Sequence, residues 1–385
     1  MSKNNVINEI KKYRPFEQLM LLASRYQLNE DELSYMKEIV QRSDMNWYEF
    51  LGCSMVNRVN GVVYKNIKGL KIPKYVRYFL ELAYREQKER TLVHQQEIYK
   101  VSELLEKENI NYSLLKGAVL NTIFYEAGER ISNDTDMMVG VQDIDKVIAI
   151  LKKEDFIQGE VREGELVPAT KKEILFSRLN TYEIVPLIKR LDDSHLPFHE
   201  MDINFKLGND DVKGTAEKML EDTVLLVNND HQIRTLALEK FLLFLCIHHY
   251  REATMIMKIV NGDDLTLYKF MDIHFVVSQK AQEIDWNYLL EVAKETNRLN
   301  DVYYTFYYTE LLYPGTFEIE ILDTLKPENT DFINQYRGRD NTGEVYEWKL
   351  SFPERVFSYK RKEEALKNVE AENKRFKAIQ EQLKK

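Results

Sequence analysis

The sequence predicts a protein of the α+β or α/β class, with a core of short strands and helices between two helical regions. From Ile10 to about Glu108 apolar residues recur every three or four positions, and after Gly208 this helical period returns. Between about 111 and 207 short apolar strands alternate with helices, which is typical of an α/β core. We expect four regions: an N-terminal helical region over 1–95, a core with a small mixed sheet over 96–210, a helical lobe over 211–325, and a polar loop with a charged terminal helix over 326–385.

Composition indicates a globular protein. The 385 residues are 44% apolar and 30% charged, and the net charge is −9. An acidic chain is poorly suited to neutralising many phosphates, so long nucleic-acid partners are disfavoured. Cys53 and Cys246 lie far apart, without the spacing of a disulfide framework or a zinc site. Two isolated cysteines fit a reducing cytoplasm, where we expect the protein. We expect no membrane partner, because no apolar run approaches the roughly 18 residues of a membrane span.

Capping residues and periodicity predict the individual elements. Ser43 and Asp44 are candidate N-caps for a helix that begins near Trp47, and Pro73 is expected to start another helix. In the core, residues 137–141 and 200–207 are predicted strands, with a helix over 143–153 between them. Further helices are predicted over 215–226, 236–255, 265–277 and 285–313, and a loop or small hairpin is predicted over 327–353.

The terminal segment 354–385 is rich in charge and has a helical pattern. A heptad-like apolar seam runs along it, formed by Leu366, Val369, Phe376 and Leu383. Two interpretations stay open: a docking helix for a protein partner, or a solvated helix that packs on its own protein.

Two carboxylates stand at the start of one predicted strand, in the stretch GERISNDTDMMVG. In a strand, residues two apart project to the same side, so Asp134 and Asp136 lie together while Thr135 points away. Such a pair of like charges calls for a cation or a shared proton. Mg²⁺ suits carboxylate oxygens and also coordinates phosphates. The pair therefore predicts a divalent metal site.

Neighbouring motifs extend this prediction. In LLKGAVL a strand turns into a helix at Lys116 and Gly117, which directs a lysine and the backbone N–H groups toward an anion. Arg130 precedes the aspartate pair. Downstream, Asp202 stands between apolar residues of a strand, where a lone carboxylate is costly without a cation or a hydrogen-bond partner.

The order of these motifs resembles the DNA polymerase β-type nucleotidyltransferase superfamily. More narrowly, LLKGAVLNTIFY…R…DTDMMV resembles the uncharacterised bacterial nucleotidyltransferases in which an LKG signature replaces the usual Gly-Ser. The resemblance covers roughly residues 45–300. It implies a polymerase β-like core in which a small mixed sheet is flanked by helices.

The resemblance also implies a two-metal mechanism. Asp134, Asp136 and Asp202 would be the catalytic metal ligands for two Mg²⁺ ions. Lys116, Gly117, the N–H of Ala118 and Arg130 would hold the phosphates of a nucleoside triphosphate, with ATP the expected donor. The nucleoside monophosphate would pass to a hydroxyl or similar acceptor on a small molecule, peptide or protein, and pyrophosphate would leave.

Two departures from the family pattern are present. Thr135 stands where such sequences usually carry an aliphatic residue, and Ile203 with Asn204 stands where a Leu-His pair often follows the third aspartate. The second departure weakens any histidine-assisted role at that strand, although His199 lies close in sequence.

Several alternatives stay open. The chain could be a catalytically silent nucleotide sensor or scaffold, and an RNA-directed transferase is disfavoured by the acidic charge. Some residues could either line the site or serve the structure alone: Glu183, His248, His249, Lys269 and Asp272.

Overall fold

The computed structural model describes residues 3–208, 214–228, 230–338, 344–369 and 374. The chain forms two compact units. One unit comprises Met1–Arg58, Leu245–Ser278 and Leu290–Lys385, and the other comprises Val59–Phe244 and Gln279–Leu289. Among the described residues, no helix combines the length and the apolar character that crossing a membrane requires.

Helices precede the first strand, as the periodicity predicts. They are α1 (Lys3–Ile10), α2 (Pro15–Ala23), α3 (Glu30–Ile39), α4 (Trp47–Val56), α5 (Asn60–Ile67) and α6 (Lys74–Lys107). Pro73 is the N-cap of α6, as expected. The predicted caps of α4 are wrong, because the Asn46 side chain accepts the hydrogen bond from the Glu49 N–H. Asp44 pairs with Arg42.

One mixed sheet of eight strands forms the centre of the second unit, in the order β4-β3-β5-β6-β2-β1-β8-β7. The strands are β1 (Tyr112–Leu114), β2 (Thr135–Val139), β3 (Ile157–Arg162), β4 (Glu165–Pro168), β5 (Leu187–Arg190), β6 (Phe198–Asn204), β7 (Thr223–Asn228) and β8 (His231–Leu236). The helices between them are α7 (Lys116–Ile123), α8 (Ile144–Lys153), α9 (Lys171–Asn180) and α10 (Thr215–Leu220). The sheet is therefore larger than the small sheet that the sequence predicted.

The extra size comes partly from a hairpin that the sequence pattern concealed. The segment predicted as helix over 215–226 contains only α10, and the chain then forms the antiparallel pair β7 and β8. Thr223, Val224 and Val227 are β-branched, which favours a strand. Four successive apolar residues in β7 hide the alternation that would mark it, so the local pattern also fits a helix.

The centre of the sheet explains why β2 is a continuous apolar run. It pairs in parallel with β6 on one side and antiparallel with β1 on the other. Every residue of β2 is buried. A strand covered on both faces needs apolar residues on both, and Met137, Met138 and Val139 supply them.

The remaining helices follow the predicted pattern in part: the stretch predicted as helical over 285–313 is two helices, and the short helices Ile256–Asn261 and Ile319–Leu325 were not predicted. In chain order the remaining helices are α11 (Leu238–Thr254), α12 (Ile256–Asn261), α13 (Leu267–Lys280), α14 (Trp286–Glu295), α15 (Leu299–Leu312), α16 (Ile319–Leu325) and α17 (Phe352–Phe357). The segment predicted as a loop or small hairpin over 327–353 contains the antiparallel strands β9 (Gln335–Arg337) and β10 (Val345–Glu347).

The described part of the terminal segment is helical over 360–369 and packs on its own unit. Arg361 donates to both carboxylate oxygens of Asp264, at 2.9 and 3.1 Å. Ala365 lies in an apolar cluster against which Val369 also packs. These contacts agree with the second interpretation of this helix, while the seam residues Phe376 and Leu383 lie outside the described residues.

Candidate active site

Two carboxylates lie side by side on the central strands. Asp136 on β2 is the register partner of Asp202 on β6. Paired residues of parallel strands project from the same face, and adjacent strands are about 4.8 Å apart, so one cation can reach both side chains. Thr135 pairs with Met201 and projects from the opposite face. The two strands thus present one carboxylate each to a shared site.

Burial and neighbouring charges disfavour ionisation of these carboxylates. Burial raises the pKa of Asp136 to about 6, against the opposing effect of the Lys116 ammonium. Desolvation raises the pKa of Asp202 well above its usual value, and the charges of Asp136 and Asp134 add to the effect. Asp134, just before β2, also raises the pKa of Asp136. The three predicted ligands therefore share one electrostatic environment, in which negative charge is only partly balanced by Lys116.

Lys116 supplies a cation to this site. Its Nζ donates to Asp136 Oδ1 at 2.7 Å. Its backbone has a left-handed φ of +41°, which costs a residue other than glycine about 1–3 kcal/mol and persists only where its surroundings enforce it. The Leu115 N–H donates to the Asp136 carbonyl at 2.9 Å and holds the start of α7 against β2. The Lys-Gly turn is thereby fixed beside the aspartates.

Gly117 allows the start of α7 to approach the loop before β2. A Cβ at Gly117 would lie 2.0 Å from Ser132 Oγ and 3.1 Å from Arg130 Nη1, so no larger side chain fits. Arg130 is buried at this approach. Ala118 is buried as well, and its N–H donates to the Leu115 carbonyl at 3.2 Å. The predicted phosphate-binding residues come together at this turn, with the Ala118 N–H already engaged inside it.

Arg90 on α6 is a charged residue near the site that sequence reasoning missed. The Asp134 carboxylate and the Arg90 guanidinium interact electrostatically, an effect that opposes the lowering of the Arg90 pKa by desolvation. Arg90 Nη1 donates to the His195 carbonyl at 3.2 Å. Because Arg90 lies in a long helix far from the aspartates in sequence, no local pattern marks it.

Two further carboxylates face the same region. Glu183 forms an isolated bridge with Asn204, and its charge raises the pKa of both Asp136 and Asp202. Glu183 therefore faces the site, which sequence reasoning had left open. Glu200 precedes Asp202 by two residues on β6 and shares its face, and it too raises the pKa of Asp202. The i,i+2 spacing of Glu200 and Asp202 could have identified Glu200 from the sequence.

The donor set fits hard divalent cations by its chemistry. It offers carboxylate oxygens whose mutual repulsion a cation would relieve. As the side chains stand, no group of three or more His, Cys, Asp or Glu among the described residues is arranged to hold a metal ion. Asp136 Oδ1 faces Lys116 instead. Lys116 therefore occupies one of the two carboxylate oxygens that Asp136 could offer to an ion.

The other candidates lie in helices of the first compact unit. His248 Nε2 and Lys269 Nζ lie 3.1 and 2.6 Å from the same Glu252 carboxylate oxygen. Lys269 also donates to the carbonyl of Asp263 at 3.0 Å. His249 and Asp272 are buried. These contacts give Lys269 and His248 structural partners, and a role in substrate binding stays a prediction.

A mixed α+β protein whose central strands carry neighbouring carboxylates is consistent with a nucleotidyltransferase-like fold. A family model described as an uncharacterised nucleotidyltransferase matches residues 43–314. The chain belongs to this family.

Solved structures and curated proteins add little to this assignment. The crystal structure of an antigenic nucleotidyltransferase-like protein from Paracoccidioides brasiliensis is similar at 15% identity and a TM-score of 0.32. The similarity covers 48% of this chain and 76% of that one. No curated protein matches the chain.

Proposed function

We propose that this protein is a nucleotidyltransferase of the polymerase β-like superfamily, of the type with an LKG signature and an Asp-x-Asp pair. It transfers a nucleoside monophosphate from a nucleoside triphosphate, with ATP the expected donor, to an acceptor on a small molecule, peptide or protein. The main support is the register pairing of Asp136 with Asp202, which places two carboxylates at one site within the field of Asp134.

In this proposal the three aspartates hold two Mg²⁺ ions. Bound Mg²⁺ would neutralise the triphosphate and lower the pKa of the acceptor hydroxyl. Asp202, on the neighbouring strand, would face the acceptor and take its proton. The support for this role is the register pairing of Asp202 with Asp136, which puts the two carboxylates on one face of the sheet.

Lys116, Gly117 and Arg130 would bind the phosphates at the start of α7. Lys116 would leave Asp136 when the metal arrives and pair with a phosphate oxygen, where it would stabilise charge that develops on the leaving pyrophosphate. Ala118 would take part only if its N–H exchanged the Leu115 carbonyl for a phosphate oxygen. Arg90 would balance the charge of Asp134.

The test is transfer of label from each α-labelled nucleoside triphosphate in cell extract with Mg²⁺, together with pyrophosphate release. Wild type should label an acceptor, and Asp136→Asn should not. The Asp145→Asn variant is the matched control, because Asp145 pairs with Arg178 on the surface. Equal labelling by wild type and Asp136→Asn would refute the proposal. Nucleotide binding without pyrophosphate release would favour a catalytically silent sensor.

A further inference from the structure

Thr135 stands between the two aspartates of the Asp-x-Asp pair and connects three elements on the opposite face of the sheet. Its Oγ1 lies 2.7 Å from His94 Nε2 on α6 and 2.9 Å from His199 Nε2 on β6. All three side chains are buried. The two imidazole rings meet edge to face at 5.4 Å. A single hydroxyl therefore joins β2 to its neighbouring strand and to the long helix.

The protons of this cluster follow from its chemistry. A hydroxyl carries one proton, so at least one of the two histidines must donate to Thr135. Burial lowers the pKa of His94 to about 4 and that of His199 well below its usual value, so both rings are neutral near pH 7. His199 Nδ1 has no hydrogen-bond partner among the described residues. A buried Nδ1 without a partner costs less as a bare lone pair than as an unpaired N–H. The proton of His199 therefore lies on Nε2, which donates to Thr135.

Two buried imidazoles are costly without partners, and Thr135 supplies the partner for both. An aliphatic residue at position 135 would fill the same space but leave both Nε2 atoms unpaired. The residues on either side of Thr135 are Asp134 and Asp136, and His199 lies on the strand that carries Asp202. The hydroxyl thus joins the start of β2, where Asp134 and Asp136 flank Thr135, to the strand that carries Asp202.

We propose that Thr135 is a positioning residue, whose hydroxyl, held between His94 and His199, sets the spacing of Asp134 and Asp136 relative to Asp202. This inference rests on the proposed metal site. It assigns a function to the departure from an aliphatic residue at this position. In the same proposal His199 helps to position the carboxylates, although it lies on the opposite face of the sheet.

The test is binding of Mn²⁺ alone, measured by electron paramagnetic resonance, with thermal unfolding of every variant. Thr135→Val should lower the Mn²⁺ affinity about tenfold, the lower end of the effect of residues that orient metal ligands. Thr135→Ser keeps the hydroxyl and should restore the affinity. Thr235→Val is the matched control, because Thr235 is buried in the same sheet and its hydroxyl donates to the Leu114 carbonyl at 2.9 Å. It should leave Mn²⁺ binding unchanged.

The outcomes separate this inference from the proposed function. If wild type does not bind Mn²⁺, or if Asp136→Asn binds it as well as wild type does, the proposed metal site is absent. If wild type binds and Thr135→Val binds equally well, the positioning role is refuted. Should Thr135→Val fail to fold, His94→Leu withdraws one of the two partners and must show the same loss of affinity. Unchanged affinity in that variant overturns the proposal.

Discussion

Asp136 and Asp202 are register partners on parallel strands, and desolvation together with the Asp136 charge raises the pKa of Asp202. Charged neighbours do not fully relieve this repulsion. Lys116 pairs with Asp136, while Glu183 adds negative charge to both aspartates. A chain that only needed stability would not place these carboxylates together. The arrangement supports the proposal of a cation site.

Asp202→Asn should stabilise the protein near neutral pH while it strongly lowers the rate of transfer. A folded-state pKa above the unfolded value means that stability is full below the unfolded pKa and is lost as pH rises through the folded pKa. Asp202→Asn removes the ionisable carboxyl and with it this loss of stability, so the melting temperature at pH 7 should rise. The rate should fall at least about 100-fold if Asp202 is the general base. Asp145→Asn, whose carboxyl has a pKa lowered by Arg178, should give no gain in stability.

Stabilisation by Mg²⁺ should grow with pH. The pKa of Asp136 is raised from 3.8 to about 6, so below about pH 6 the folded carboxyl holds a proton that a metal must displace. The rise in melting temperature on adding Mg²⁺ should therefore be small near pH 5 and increase as the pH rises through about 6. Scanning fluorimetry across this range measures it, with Asp136→Asn as the control. An effect of Mg²⁺ that does not depend on pH would contradict the assignment.

Lys116→Met should separate metal binding from nucleotide binding. The Lys116 ammonium occupies Asp136 Oδ1, so its removal should strengthen binding of Mn²⁺ alone and lower the stability of the metal-free protein. Binding of the nucleoside triphosphate should weaken, because a phosphate-binding cation is lost. Calorimetric titration with metal and then nucleotide gives both values. Weaker metal binding together with unchanged nucleotide binding would show that Lys116 does not exchange partners.

Gly117→Ala should disrupt the phosphate-binding turn by steric overlap. The added Cβ would lie 2.0 Å from Ser132 Oγ, and overpacking of this kind costs about 1–3 kcal/mol. We expect a lower melting temperature and weaker triphosphate binding. The double variant Gly117→Ala with Ser132→Gly removes the nearest obstacle and should recover most of the lost stability. Failure of the second substitution to restore any stability would show that the clash is not the cause.

The sequence predicted what depends on local pattern. The helices before the core, the strand that begins at the aspartates, the Lys-Gly turn and the hairpin after Pro327 all follow from period, capping or turn residues. The pairing of Asp136 with Asp202 depends on strand register across the sheet, and no local pattern specifies it. The sequence could therefore only suggest that the two residues meet.

The misses share one physical cause, since each depends on contacts made across the fold. The sheet is larger than predicted because β7 and β8 pair with each other and β8 pairs with β1. Arg90 approaches Asp134 only through the packing of α6 near the sheet. The sequence alone indicates no function for Thr135. The contacts of its hydroxyl with His94 and His199 are visible only in the structure.

The most direct test is a crystal structure with Mn²⁺ and a non-hydrolysable nucleoside triphosphate, in which anomalous scattering locates the metal. We predict a peak between the carboxylates of Asp136 and Asp202, with Asp134 among the ligands and Lys116 moved from Asp136 to the triphosphate. A nucleotide bound elsewhere, or Mn²⁺ bound away from these carboxylates while Lys116 keeps its contact with Asp136, would contradict the account.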